Sequence, residues 1–421
     1  MRTLLNLLAV ALAFPVLADD EERPTITVGA ANGDIRGTDH RALQAAVDYV
    51  AALGGGTVKI GPGRYQLRNA VTLRDHVRVE GVPGETILVV VDGVRSALSA
   101  DGDANQRQIT LAEPTGFRVG DRVLVGDDES PGGFNVTSAI LTARIGTDTF
   151  RIDTALREDY MVGRKARAEL TFPGIGGWGI RDAAVEGVTV EGNRGRTQCR
   201  TMDGCRHGGI YLFECERVSI RGCVVRDFHG DGISFQVSAD VKVEECRVER
   251  CAGHGLHPGS GSSRPLLTRN VSLDNDEDGM FVCWRVQHGR FEANLLRGNR
   301  RDGVSIGHKD SDNLFLLNKM LSNGRHGIYF REETEAMGAH RNVFERNEVL
   351  DNCLKTEGAS ALAAIRLRGH HHGVVFRQNT VGNSSAEGRA EVGILADPNA
   401  KGLEAKENRF LHVKEERRSE P

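Results

Sequence analysis

The chain repeats itself every 24 residues within the stretch GMFVCWRVQHGRFEANLLRGNRRDGVSIGHKDSDNLFLLNKMLSNGRHGIYF, residues 279–330. A glycine followed by an apolar residue marks each unit, and earlier copies precede the stretch at spacings of 23 or 24 residues. The glycines of this series are Gly209, Gly232, Gly255, Gly279, Gly303 and Gly327. A fixed period of this size is typical of a repeat protein whose units bury their apolar faces only against one another.

Two series of asparagines keep step with the glycines. The first is Asn270, Asn294, Asn318, Asn347, Asn379 and Asn408, and the second is Asn275, Asn299, Asn323 and Asn352. Short alternating runs such as Ile233–Gln236 indicate strands with one buried face. No segment of helical length separates these runs, so tight corners must join them. Asparagine suits such corners because it tolerates a left-handed backbone and its amide can bond the copy above or below.

These patterns predict an all-β fold, a single-stranded right-handed parallel β-helix with regular coils over residues 178–412. Leucine-rich-repeat and propeller folds fit worse, because their leucine spacing and blade signatures are missing. Residues 19–100 are predicted to form an N-terminal cap and the first coils, with a helix over 38–53 that begins at Thr38 or Asp39. Residues 101–177 are predicted to be a β-rich insertion or irregular coils, and 413–421 a polar tail.

The first 18 residues have the pattern of a signal peptide. A basic residue is followed by a short apolar run and a small-residue cleavage site. The apolar run is too short to span a bilayer, and no later stretch predicts a membrane span. The sequence thus predicts a secreted or periplasmic protein, and its formal charge of −4 gives no reason to expect nucleic acid as a partner.

The chain contains eight cysteines, too few for a disulfide scaffold. Cys199 and Cys205 belong to one short loop and are the favoured pair. Cys223 and Cys246 recur at one repeat position, which also suits simple stacking in the core.

The segment AANGDIRGTDHRALQAAVDYVAALGGGTVKIGPGRYQL resembles the opening segment of the pectate-lyase-like superfamily. That group includes rhamnogalacturonases, polygalacturonases and epimerase-like proteins, and the coils resemble its β-helix repeats over 180–410. The resemblance implies a β-helix but is open on activity, since the fold also serves lyases, hydrolases, phage spikes and non-enzymes. GHGLHPGSGS, residues 253–262, resembles a polygalacturonase signature, but Gly232 replaces the second aspartate of the paired-aspartate segment.

Alternation places one side chain of each Gly-apolar strand outside the helix. This outward column is Tyr211, Ser234, His257, Phe281, Ser305, Tyr329 and Arg366. Successive coils lie about 4.8 Å apart, so the column predicts a strip suited to an extended glycan. Tyr211, Phe281, Tyr329 and Arg366 are its candidate substrate-binding residues. The alternative is an ordinary solvent-facing sheet.

A second polar column precedes the glycines: Asp231, His254, Asp278, Asp302 and His326. Polar residues at this position are common at β-helix corners, so a structural role is the alternative. Carboxylates one or two coils apart would be separated by about 5 or 10 Å, which brackets the spacing in glycosidases. Stacked carboxylates could also attract calcium, the one cofactor that the sequence suggests.

Two further clusters carry titratable groups. GHKDSDN (307–313) and FREE (330–333) bring His308 and Arg331 onto neighbouring coils, with a salt-bridged surface as the alternative. His370, His371 and His372 could hold a transition metal or form a solvated turn.

We therefore predict an active site on coils 230–335, centred on Asp278 and Asp302, with Asp231, His257, His308 and Arg331 as further catalytic candidates. The predicted function is that of a lyase or glycoside hydrolase acting on an acidic glycan. The alternative is a non-catalytic β-helix that binds glycan or serves as a surface structural module.

Overall fold

The computed structural model describes residues 23–129, 135–201, 203–355 and 362–419. The predicted targeting segment, 1–18, lies outside these residues. The described chain begins with short strands and one helix: β1 (Thr25–Gly29), β2 (Ile35–Arg36), α1 (His40–Ala52), β3 (Gly56–Ile60), β4 (Gly63–Leu67), β5 (Val71–Thr72), β6 (Val77–Gly81) and β7 (Thr86–Val90).

Helix α1 is the predicted N-terminal cap. The Asp39 side chain accepts hydrogen bonds from the backbone N–H groups of Arg41 and Ala42, and thereby satisfies donors of the first turn. The buried face of α1 joins the same apolar core as the first coils. Because an exposed end of a β-helix offers unpaired apolar surface, this helix protects it.

The next six strands form a separate antiparallel sheet, in the order β8-β13-β10-β11-β12-β9. They are β8 (Arg95–Ala97), β9 (Gln108–Thr110), β10 (Arg122–Gly126), β11 (Thr137–Ile145), β12 (Thr149–Ile152) and β13 (Arg167–Leu170). The predicted β-rich insertion is therefore a small sheet of its own rather than a set of distorted coils.

From residue 175 onward the chain winds in regular coils of three strands. These strands are β14 (Ile175–Trp178), β15 (Ala184–Glu186), β16 (Thr189–Glu191), β17 (Ile210–Phe213), β18 (Ser219–Arg221), β19 (Val224–Arg226), β20 (Ile233–Gln236), β21 (Lys242–Glu244), β22 (Arg247–Glu249), β23 (Leu256–Gly259), β24 (Leu266–Thr268), β25 (Val271–Leu273), β26 (Met280–Phe281), β27 (Arg290–Glu292), β28 (Leu295–Arg297), β29 (Val304–Ile306), β30 (Leu314–Leu316), β31 (Lys319–Leu321), β32 (Ile328–Glu333), β33 (Val343–Glu345), β34 (Glu348–Leu350), β35 (Ala363–Gly369), β36 (Val375–Arg377), β37 (Thr380–Gly382), β38 (Val392–Ala396), β39 (Glu404–Lys406), β40 (Arg409–Leu411) and β41 (Glu415–Ser419).

Each coil contributes one strand to each of three long parallel sheets. The first sheet runs β2-β1-β3-β6-β15-β18-β21-β24-β27-β30-β33-β36-β39, and the second runs β4-β7-β16-β19-β22-β25-β28-β31-β34-β37-β40. The third, which carries the Gly-apolar strands, runs β5-β14-β17-β20-β23-β26-β29-β32-β35-β38-β41. Strand β41 falls within the predicted polar tail. It pairs with β38, and its charged side chains discourage further pairing at this edge.

The asparagine series form hydrogen-bonded ladders inside the corners. Nδ2 of Asn294 donates to Oδ1 of Asn318 at 2.9 Å, and Nδ2 of Asn318 donates to Oδ1 of Asn347 at 3.0 Å. The left-handed residue is the one before each asparagine, for example Leu317 with φ 57°. Thus the asparagines serve the ladder, and a neighbour makes the bend.

The core consists of stacked side chains from equivalent positions in successive coils. Phe291, Phe315 and Phe344 stack with ring centroids 4.6 and 4.3 Å apart. Cys246 lies one coil before Asn270, at the equivalent corner position. Its backbone N–H donates to Asn270 Oδ1 at 2.9 Å.

No disulfide joins the cysteines, all of which lie in the described part of the chain. The favoured pairing of Cys199 with Cys205 is therefore wrong. The Cys199 thiol donates to the Leu170 carbonyl at 3.3 Å, whereas Cys205 lies beside the thiol of Cys283.

Candidate active site

The predicted outward column exists with the predicted register. Tyr211 pairs with Ser234, Ser234 with His257, and Ser305 with Tyr329 on neighbouring strands of the third sheet. The prediction that this column forms an open strip is wrong over its first half. Tyr211, Ser234 and His257 are buried because the loop before β17 lies over them.

That loop is fixed to the sheet by hydrogen bonds from the column itself. The Ser234 hydroxyl donates to the Gly204 carbonyl at 2.6 Å, and the Tyr211 hydroxyl donates to the Cys205 carbonyl at 2.9 Å. Tyr211 therefore supports the loop, and its role in binding substrate stays a prediction. The loop converts the flat sheet into one wall of a cleft.

At the base of this cleft His257 is paired with Asp231. Nδ1 of His257 lies 2.7 Å from Oδ2 of Asp231, and each side chain is about 2% exposed. Oδ1 of Asp231 also accepts the backbone N–H of His254 at 2.8 Å. Burial alone would lower the pKa of His257, but the hydrogen bond to Asp231 and the neighbouring Cys205 thiol raise it, to about 10. His257 is thus an imidazolium at neutral pH, with Nε2 making no hydrogen bond to any described residue.

The cleft has a volume of about 410 Å³ and mixes acidic, aromatic and thiol groups. Its side chains include Asp203, Cys205, Glu277, Phe281, Cys283 and Trp284, in addition to the histidine–aspartate pair. Burial raises the pKa of Glu277, against the opposing charges of His254 and Arg301. A carboxyl with a raised pKa at the wall of a cleft is suited to proton transfer.

An irregularity in the coil opens this cleft. Strand β26 spans only Met280–Phe281, whereas β20 and β23 each span four residues. Beyond it, Trp284 and Arg285 both adopt left-handed backbone, with φ of 66° and 65°. The resulting bend carries the Trp284 ring to the cleft.

Phe281 connects the cleft to the next coils. Its ring stacks on His254 with centroids 4.1 Å apart, and the Arg331 guanidinium lies 4.5 Å from its centroid. Arg331 donates to Ser305 Oγ at 3.1 Å and to the Val282 carbonyl at 2.8 Å. The structure thus brings His257, Phe281 and Arg331 together, as the sequence predicts.

Arg331 also faces a buried carboxyl, Asp310. The two side chains approach to 3.2 Å, and burial raises the pKa of Asp310 to about 7 despite the charge of Arg331. Both Asp310 oxygens accept backbone N–H groups, from Val286 and Gly307. The Asp310 carboxyl group therefore fixes the turn beside Arg331.

His308 lies at the edge of the same region. Its ring stacks on Trp284 with centroids 4.1 Å apart, and its Nδ1 lies 3.1 Å from Oε1 of Glu333. His308 therefore orients the tryptophan that lines the cleft.

Asp278 and Asp302, the predicted centre of the site, are corner residues. Oδ1 of Asp278 accepts the backbone N–H of Asp302, and Oδ1 of Asp302 accepts that of His326, each at 2.8 Å. Both carboxyls are buried, and neither lines the cleft around His257. Their role as the centre of the site stays a prediction, and one oxygen of each carboxyl joins successive coils.

The other two predicted substrate-binding residues lie further along the third sheet. Tyr329 pairs with Arg366 on the next strand, and the Arg325 guanidinium lies 5.0 Å from the Tyr329 ring centroid. Arg366 is buried, at 8% exposure. Neither side chain lines the cleft around His257.

A cationic groove adjoins the cleft and shares Ala252 and Glu277 with it. The groove has a volume of about 880 Å³. Its cationic side chains are Arg300, Arg301, Arg325, Lys355 and Arg389. The two acidic side chains there, Asp276 and Glu277, are each paired with an arginine. The groove therefore offers a positive surface next to the histidine–aspartate pair.

The calcium prediction requires oxygen ligands that converge on one point. Among the described residues only one group of three potential metal ligands converges, and it excludes Asp231, Asp278 and Asp302. Calcium stays a prediction without a site.

Sequence reasoning missed Glu277, Trp284 and Asp203. Trp284 and Asp203 lie in a bend and a loop that depart from the regular coil, whereas Glu277 occupies a regular corner position whose equivalents in the next two coils are Arg301 and Arg325. Trp284 and Arg285 adopt left-handed backbone although neither is a glycine, so the local sequence does not predict the bend.

The three stacked sheets and the coil register define the class: the chain folds as a right-handed parallel β-helix. A family profile described as "right handed beta helix region" matches residues 174–320. No helix among the described residues is long and apolar enough to cross a bilayer.

Among individual proteins, the chain is similar to mannuronan C5-epimerase AlgE4 of Azotobacter vinelandii, with 25% identity over 274 residues. That match covers 65% of this chain and 34% of the relative, so the chain spans about a third of that protein's length. The solved A-module of AlgE4 superposes with a TM-score of 0.59 at 15% identity, covering 93% of this chain and 97% of the module. A structure titled "Glycoside hydrolase" gives a TM-score of 0.56 at 11% identity, covering 91% and 96%. These superpositions establish a shared fold.

Proposed function

We propose that this protein is a secreted enzyme that acts on an acidic, uronate-containing polysaccharide by transferring a proton at C5 of the sugar. The observation that carries the proposal is the buried His257–Asp231 pair at the base of a cleft that continues into a cationic groove. The name of the AlgE4 relative, a mannuronan C5-epimerase, is consistent with this chemistry.

The groove supports an anionic substrate. The groove carries five cationic and two acidic side chains, and Asp276 pairs with Arg194 while Glu277 pairs with Arg301, so a net positive charge is left to attract the carboxylates of a bound polyuronate. Neutralising the sugar carboxylate makes the neighbouring C5–H bond more acidic, which is the requirement for proton abstraction.

Glu277 is the proposed base. It lines both the cleft and the groove, and its raised pKa makes the carboxylate a better proton acceptor than an exposed glutamate. In the proposed step the C5–H bond breaks, the proton passes to Glu277, and the electron pair delocalises into the sugar carboxyl group.

His257 is the proposed acid. Its imidazolium is stabilised by Asp231 and the ring lies at the wall of the cleft, so it has a proton to deliver. Protonation of C5 from the opposite face would give the epimer. Departure of the oxygen on C4 with this proton would give an unsaturated sugar and a broken chain, the outcome of a lyase.

Aromatic rings supply the remaining requirement, a surface for the apolar face of a sugar. Phe281 and Trp284 line the cleft and are held by stacking on His254 and His308 respectively. Arg331 reinforces this wall from behind Phe281. In this account His308 and Arg331 are positioning residues.

The test is a panel of polyuronates and neutral glycans incubated with the purified protein. The proposal predicts turnover of at least one polyuronate, seen as absorbance near 235 nm from unsaturated ends or as inversion at C5 by proton NMR. Release of reducing ends with neither signature would identify a hydrolase instead. Glycan binding without any product would identify a non-catalytic β-helix, and both outcomes would refute proton transfer at C5.

A further inference from the structure

A group of potential metal ligands lies outside the cleft, where two loops meet beyond the ends of β32 and β35. Glu335 belongs to a short 3-10 turn over Glu335–Met337, and His370 and His372 directly follow β35. One carboxylate oxygen and one nitrogen from each histidine all lie within 4.8 Å of one another.

The individual separations match those around a small ion. Nδ1 of His370 lies 3.2 Å from Oε2 of Glu335, and Nδ1 of His372 lies 3.6 Å from Oε1. In a tetrahedral zinc site with bonds of about 2.0–2.1 Å, neighbouring ligand atoms are about 3.3 Å apart. Only small side-chain adjustments would therefore place all three donors on one ion.

The intervening residue fixes the two histidines in place. His371 is fully buried, its Nδ1 accepts the backbone N–H of Ala339 at 3.0 Å, and its Nε2 lies 2.7 Å from the Arg368 carbonyl. With His371 turned inward, His370 and His372 project on the other side of the chain, toward Glu335. The backbone N–H of His372 also donates to Nδ1 of His340 at 3.0 Å.

The loop that carries Glu335 is held tightly against the histidines. A Cβ atom added to Gly338 would lie 1.8 Å from the His370 carbonyl oxygen, so only glycine permits this approach. The Lys309 backbone N–H donates to the Met337 carbonyl at 2.7 Å. The ligands are thus arranged before any ion arrives, as a preorganised site requires.

We propose that Glu335, His370 and His372 bind one divalent transition-metal ion, with zinc as the best fit. Two imidazoles and one carboxylate are ligands of intermediate softness that suit zinc and its neighbours, whereas calcium and magnesium prefer sites built from oxygen alone. Nδ1 of His370 is buried and faces Oε2 of Glu335, the carboxylate of the same proposed site. Three protein ligands leave a fourth position for water.

The test is titration of zinc chloride into protein that has been stripped with a chelator and purified without a polyhistidine tag. Isothermal calorimetry should show one site with a dissociation constant of about 1 µM or tighter. The double variant His370→Ala and His372→Ala should weaken this binding by at least about 100-fold, and Glu335→Gln by about 10-fold or more. The matched control is His288→Asn, an exposed histidine elsewhere on the surface, which should bind zinc as the parent does.

Melting curves provide a second readout that does not depend on glycan activity. Zinc should raise the melting temperature of the parent and of His288→Asn but not that of the double variant, and calcium should raise none of them through this site. Failure of the parent to bind zinc, or equal binding by the double variant, would overturn the proposal. Neither result would affect the assignment of the cleft, because the titration contains no glycan.

Discussion

Nδ1 of His257 lies 2.7 Å from Oδ2 of Asp231, with both side chains almost completely removed from solvent. A buried charged pair stabilises a fold weakly in net terms, yet the loss of one partner leaves the other uncompensated. The arrangement is therefore better explained by what the imidazolium can do in the cleft than by its contribution to stability. It also makes the pair sensitive to pH in a defined direction.

The variant His257→Gln should unfold at lower urea concentration than the parent, with a difference that shrinks as pH rises. The pKa of His257 is raised to about 10 in the folded chain, against about 6.5 when unfolded. Protonated His257 therefore stabilises the folded chain fully at pH values below about 6.5, its pKa in the unfolded chain. This contribution to the free energy of unfolding disappears as pH rises toward 10. Urea unfolding of both proteins at pH 6, 8 and 10 measures the difference, and a difference independent of pH would contradict the assignment.

Asp302→Asn should retain the stability of the parent at neutral pH, within about 1 kcal/mol. Burial and the neighbouring Asp278 raise the pKa of Asp302 well above its usual value, so the amide removes a charge that the site disfavours and keeps an oxygen to accept the His326 N–H. Asp302→Ala leaves that N–H unpaired and should cost about 1–3 kcal/mol.

Glycan turnover by the Asp302→Asn protein provides the matching functional result. We expect turnover close to that of the parent, because this carboxyl joins two coils and does not line the cleft. A loss of about 100-fold or more would show that Asp302 is a proton-transfer group after all.

Asn318→Ala should destabilise the helix on the order of 3 kcal/mol. Its amide donates to Asn347 and to the Phe291 carbonyl, and its Oδ1 accepts from Asn294. Each buried polar group left unpaired costs about 1–3 kcal/mol. The control is Asn408→Ala at the half-buried end of the same ladder, where the loss should be clearly smaller in thermal melting.

The double variant Arg300→Gln and Lys355→Gln should raise KM for a polyuronate several-fold without changing kcat. Both cations line the groove next to the cleft, and an exposed charge contact contributes about 0.2–1 kcal/mol. The effect should fade at high ionic strength, because salt screens exposed charges. Arg221→Gln, on the first sheet, is the control and should leave KM unchanged; an equal rise in KM there would show that the groove has no special role.

The coils of the β-helix could be predicted because the sequence repeat gives their number and length directly. The phased glycines and asparagines define the coils, and Asp39 marks the start of the helix at the N-terminal end. The outward register of Ser234 and His257 also follows from alternation alone.

The site could be predicted only where it coincides with the repeat. His257 and Phe281 belong to the predicted outward column and Arg331 to a predicted cluster on neighbouring coils, whereas Trp284 lies in a bend and Glu277 at a corner position that holds arginine in the next two coils. Periodicity could not show that Asp278 and Asp302 hold a corner ladder, because such a ladder and a stack of catalytic acids produce the same spacing in the sequence.

The most direct test of the central claim is the fate of the C5 proton of a polyuronate substrate incubated with the protein in D2O. The account predicts that the parent removes this proton, seen as deuterium at C5 of an epimer or as an unsaturated end that carries no hydrogen at C5. It also predicts loss of at least about 100-fold in rate for Glu277→Gln and for His257→Gln, and no loss for the control Asp240→Asn. Turnover of the glycan with the original proton retained at C5, or undiminished removal of that proton by both cleft variants, would contradict it.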